Sequence, residues 1–142
     1  MAQTKKDPGP TAQTVAANIR TLRTLRGMSQ ADLAAALTER GHDVPPIGIR
    51  RMEKCERAVT VDDLMVLCLA LDCSPVALLV PLPGRDGWEG ATKVTGVDDE
   101  VTPESVWNWV TQHRPVAPAM KIPGDQVEFH RPSATPEDDE ED

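Results

Sequence analysis

The residues of this chain best equipped for chemistry are four nearby cations, Arg50, Arg51, Lys54 and Arg57. A guanidinium is a planar fork of donors, able to grip two acceptors at once on a carboxylate, a phosphate or the groove edge of guanine. An ammonium is a point charge suited to phosphate. Ile49 and Met52 interrupt the cations at helical spacing, so one face of a short helix can be buried while Arg50, Arg51 and Lys54 face out. Upstream, Ser29-Gln30-Ala31-Asp32-Leu33-Ala34 reads as the start of another helix. Two helices set at an angle, the second carrying adjacent cations, form an arrangement for entering a nucleic-acid groove.

Other chemistry lacks its residues. The sequence has no Gly-rich phosphate loop, no G-x-S-x-G and no H-E-x-x-H. His42, His113 and His130 are scattered among loop-like segments, and Cys55, Cys68 and Cys73 form no C-x-x-C pair. These spacings point away from a zinc site, and Cys68, inside an apolar run, reads as a small hydrophobe. Asp62-Asp63 suits a helix N-terminus and Asp98-Asp99-Glu100 a solvated loop. The expectation is a binding protein, not an enzyme, with no metal and no cofactor.

The elements that must position the cations follow from periodicity and punctuation. Val15, Ile19, Leu22 and Leu25 predict a first helix over 14–26, stopped by Gly27, with Arg20 and Arg26 on its wet side. Ser29 caps a second helix, with Asp32 as the reciprocal acid, and the helix ends near Gly41. After a loop, Pro46 opens a third helix that runs to about Lys54. Thr60 opens a fourth, whose body from Leu64 to Leu71 is apolar nearly all round and belongs in the centre of a bundle. Ser74-Pro75 starts a short fifth helix. Leu78, Leu79, Val80 and Leu82 then either form a dimer surface or close the monomer core. One more helix is expected from Thr102 to about His113, with Trp107 and Trp109 too close in sequence to share a narrow face.

This gives an all-α fold: a five-helix bundle over 14–83, after a disordered arm over 1–13. A Gly-rich linker with a Trp-containing accessory helix covers 84–114, with an extended piece at 92–97, and a disordered Pro-rich acidic tail covers 115–142. Charge divides at the same place. Up to Pro83, ten Lys/Arg face nine Asp/Glu; from Gly84 onward, five face fourteen. The overall charge of −8 therefore describes the C-terminal part and does not argue against a nucleic-acid partner for the bundle. The sequence has no run of roughly 18 apolar residues and no secretory signal, so no membrane partner is expected and the cytoplasm is the default location.

Four features in this order resemble the helix-turn-helix domain of the Cro and phage-repressor (XRE) family over about Val15 to Leu82. They are Arg23 before Gly27, the S-Q-x-D-L-A opening at Ser29, I-x-R-x-E at Ile49 to Glu53, and Leu71-Asp72-Cys73-Ser74-Pro75. The resemblance implies a lambda-repressor-like bundle and a structural salt bridge between Arg23 and Glu53. It assigns Gln30 to a DNA phosphate and the start of the third helix to base edges in the major groove. The reading positions become Pro46, Ile47 and Arg51, with Gly48 and Arg50 beside them; Lys54 and Arg57 are expected on phosphate. Cys55 stands where the family usually has glycine, so either the chain enters the left-handed region there at about 1 kcal/mol or the helix ends differently.

The implied function is sequence-specific binding of double-stranded DNA as a transcriptional regulator, most simply a repressor, with a homodimer on a two-fold operator. The alternative is a protein-interaction module, such as an antitoxin or regulatory adaptor, using the acidic, Trp-containing residues 84–142.

Overall fold

The computed structural model describes residues 7–112 and residue 116. The described residues form six helices: α1 (Pro10–Leu25), α2 (Gln30–Glu39), α3 (Pro46–Glu53), α4 (Val61–Leu71), α5 (Pro75–Leu79) and α6 (Pro103–Gln112). The described residues contain no strand; one antiparallel bridge joins Thr92 to Val101 where the extended piece was expected. The fold is all-α. Its first helix begins four residues earlier than periodicity indicated. Pro10 takes the first helical position, where a missing amide costs nothing, and the chain enters through extended Gly9. Residues 10–13, expected in a disordered arm, are thus helical, and Thr11 exchanges hydrogen bonds with Thr95. The expected tail lies outside the described residues, apart from Val116, which is buried.

The helix starts follow their local chemistry. Ser29 Oγ accepts from the Asp32 amide at 3.0 Å while Asp32 accepts from the Ser29 amide at 2.8 Å. Thr60 and Asp63 build the same reciprocal box on α4. The bonds from Ser29, its backbone amide first, hold the Asp32 carboxyl below its ordinary pKa. Ser74, though in the cap position of α5, makes no side-chain capping bond.

The ends of α1 to α4 share one solution, in which two amides beyond the helix return to carbonyls of its last turn. The pivot residue is left-handed in each case: Gly27, Gly41, Cys55 and Asp72. Glycine meets this demand in the first two; Cys55 and Asp72 adopt it at φ 57° and 52°.

The main core gathers Val15, Ile19, Leu33, Leu37, Ile49, Met52, Leu67, Leu71 and Leu78 around the inner face of α4. Leu78 and Val80 are buried, so α5 closes the monomer and of its dimer candidates only Leu82 remains exposed. Instead an apolar stripe on α4, Val61, Met65 and Leu69, faces outward at helical spacing. A second, smaller core of Val80, Val94, Val101, Val106 and Val116 ties the segment after Pro83 back onto α5. That segment was expected as a linker; its valines make it part of the packed protein. Trp109 packs against this core while Trp107 is exposed, which divides the two indoles.

One buried polar side chain secures α5 to α1. Asn18 Nδ2 donates to the carbonyls of Ala77, Leu78 and Val80 at 3.2, 3.0 and 2.8 Å. Those carbonyls lie at the end of a helix too short to satisfy them internally. Asn18→Ala should therefore cost about 2–3 kcal/mol, because it strands buried acceptors. A denaturant titration that shows less than about 1 kcal/mol would mean that water replaces the amide.

Candidate nucleic-acid interface

Position on α3 is decided by which of its residues the core takes. Ile49 and Met52 are fully buried, and Gly48 is buried beside them. Pro46, Ile47, Arg50, Arg51 and Lys54 are left exposed along the other side. A Cβ on Gly48 would lie 2.8 Å from Val44 Cγ1 and 2.7 Å from Arg57 Nη1. Glycine is thus required by close packing, and Gly48, expected beside the reading positions, faces inward.

Three donors converge on Glu53 at the end of this helix. Arg23 Nε and Nη2 bond its two carboxylate oxygens at 2.5 and 3.2 Å, a bidentate, charge-assisted fork. Gln30 Nε2 donates to Oε2 at 3.0 Å. Arg23 uses a further nitrogen to bond the Met28 carbonyl at 2.8 Å, fixing the turn between α1 and α2. The Glu53 and Arg23 side chains are only 4% and 13% exposed, so the pair is largely withdrawn from water. The expected salt bridge is present. Gln30, expected on phosphate, spends its amide nitrogen on Glu53 and stays partly buried at the first position of α2.

Around this hub the side chains of Arg20, Arg50 and Lys54 line one small polar cleft with Arg23, Gln30 and Glu53. Arg20 was assigned only to the wet side of α1. The available signal was its spacing of three from Arg23, which puts both on one helix face. Arg57 does not join this group. It is partly buried, its guanidinium lies against Gly48, and its charge acts on Asp63.

The loop before α3 has its own anchor. His42 Nε2 lies 2.6 Å from Asp63 Oδ1, joining the α2–α3 connection to the first turn of α4. Burial works to raise the Asp63 pKa, but the bond from His42, the two from Thr60 and the charge of Arg57 together hold it below the ordinary value. Sequence reading placed Asp63 at a helix start and His42 in a loop; their contact spans 21 positions and leaves no local signal.

The fold and site together define a helix-turn-helix module, with α2 and α3 braced by Glu53 and a cationic face on α3. Residues 19–78 match the family model described as helix-turn-helix. No curated protein and no solved structure matches the chain.

Two outcomes follow from the anchors. Glu53→Ala leaves the Arg23 charge buried without its partner and should destabilise the fold by about 3 kcal/mol in denaturant titration; a change near zero would place the pair in solvent. Asp63 titrates lower folded than unfolded, so the stability it contributes is present above the unfolded pKa of about 4 and is lost as pH falls through the folded value. Between about pH 5 and pH 3, wild type should lose more stability than Asp63→Asn. Parallel losses in the two proteins would exclude this linkage.

Proposed function

We propose that the protein is a sequence-specific regulator that binds double-stranded DNA in the cytoplasm through the outward face of α3 and represses by occluding a promoter. The observation that supports this most is the burial of Ile49 and Met52, which turns Arg50, Arg51 and Lys54 outward together. Arg51 is the base reader and Arg50 its neighbour, each able to bind guanine O6 and N7 bidentately. Pro46 and Ile47 offer no side-chain donors and suit the methyl group of thymine. Lys54 and Arg20 neutralise phosphate, while Gln30 Nε2 gives one hydrogen to Glu53 and offers its second to a phosphate of the DNA.

Binding as a dimer on a two-fold site fits this reading. The exposed stripe Val61, Met65 and Leu69 on α4 is a face that a second copy can cover, whereas α5 is occupied by the monomer's own core. A second reading, an antitoxin or adaptor that works through residues 84–142, draws support from the exposed Trp88 and Trp107.

Arg51→Ala should weaken binding to the selected operator by about 1–3 kcal/mol, whereas Asp138→Ala should leave it nearly unchanged. Equal effects in a titration against fragments recovered by genome-wide selection would refute the assigned face.

A further inference from the structure

We propose that the corner formed by Trp88 and Trp107 is a docking site for an arginine-bearing basic segment of a partner protein. The two indoles meet edge to face, with centroids 6.2 Å apart and planes at 70°. Both remain well exposed, at 46% and 42%, despite that contact. They form two walls of an open groove whose other lining residues are Glu89, Glu104 and Asn108.

The walls are held in place. Trp88 follows the turn in which the Gly87 amide donates to the Gly84 carbonyl and lies within the next, in which the Gly90 amide donates to the Gly87 carbonyl; Gly87 supplies the left-handed conformation. The Trp88 carbonyl accepts from the Glu104 amide at 3.1 Å, fastening that turn to the first turn of α6. Thr102 caps α6 by accepting from Ser105, and Val106, Trp109 and Val110 fix its other face to the second core. Trp107 is thereby held outward by a rigid element.

Indole faces attract cations, arginine most often, and the attraction grows when a carboxylate can take the same group. Two carboxylates and an amide line this corner, and among the described residues no cation does. A guanidinium fits better than an ammonium because its plane stacks on indole while its edge forks a carboxylate. The surroundings favour the same sign: between Gly84 and Gln112 six acids face two cations. The chain's own tail is a poor occupant, since residues 117–142 carry eight acids against Lys121 and Arg131. None of these residues lies on α3, so this site stands apart from the DNA-binding reading.

The test is calorimetric titration of the full chain, at low salt, with blocked peptides of alternating glycine and arginine, glycine and lysine, or glycine and glutamate. Saturable binding is expected with the arginine peptide, weaker binding with lysine and none with glutamate. Trp107→Ala should weaken arginine-peptide binding by about tenfold or more. Glu104→Gln, which keeps both indoles, should weaken it by roughly threefold, while operator binding and thermal midpoint stay at wild-type values. Undiminished affinity in both variants, equal binding of the glutamate peptide, or no saturable binding overturns the proposal. So does tighter peptide binding after Arg114, Lys121 and Arg131 are all replaced by alanine, which would identify the chain's own tail as the occupant.

Discussion

The carboxylate of Glu53 is the constraint on which the helix-turn-helix depends. It ends α3, yet it is held by Arg23 from α1 and by Gln30 from α2, so three helices meet at one buried charge. Burying a carboxylate is costly unless donors replace its water, and here three do. The arrangement is directional: two forked bonds from a planar guanidinium admit few orientations of α3 relative to α1. Apolar packing of Ile49 and Met52 would hold α3 down without fixing its rotation so closely. That rotation decides which side chains can enter a groove.

The same device recurs at the other junctions. Asn18 supplies one amide to three carbonyls where α5 ends, and Asp63 gathers His42, Thr60 and the charge of Arg57 where the α2–α3 loop meets α4. Arg26 bonds the carbonyls of Leu71 and Asp72, closing the end of α4 against α1. Each is a polar group within or beside an apolar core that is satisfied by a residue distant in sequence. Among the described residues no buried side-chain nitrogen or oxygen lacks a partner. The aliphatic core supplies cohesion, and these bonds select one relative placement of the short helices from the many that cohesion alone would allow.

The cations divide by task. Arg23, Arg26 and Arg57 are engaged within the protein, and Arg20, Arg50, Arg51 and Lys54 lie toward solvent. Counting basic residues would have placed all of them on one patch. The acidic residues after Pro83 surround a separate aromatic corner whose support is the valine core shared with α5. A weakly charged bundle thus carries a cationic face on one helix and an acidic, aromatic extension elsewhere.

The sequence by itself determined what acts over three or four residues. The box at Ser29, the helix start at Thr60, the glycine stops at Gly27 and Gly41, and the burial of Ile49 and Met52 follow from spacing, because the residues concerned lie within a turn or two of each other. The Arg23–Glu53 pair was legible only through resemblance, since thirty positions separate its members. Tertiary structure alone decided that Gln30 holds Glu53, that Gly48 is walled in by Val44 and Arg57, and that His42 reaches Asp63. It also decided that Arg20 joins the cationic cleft and that Trp88 meets Trp107. Each of these rests on how two helices or a loop and a helix lie against each other, a geometry that no local pattern encodes. The sequence therefore marked the helix and the face that carry Arg50, Arg51 and Lys54, and packing settled that Arg57 turns to the protein and Arg20 joins the exposed cations.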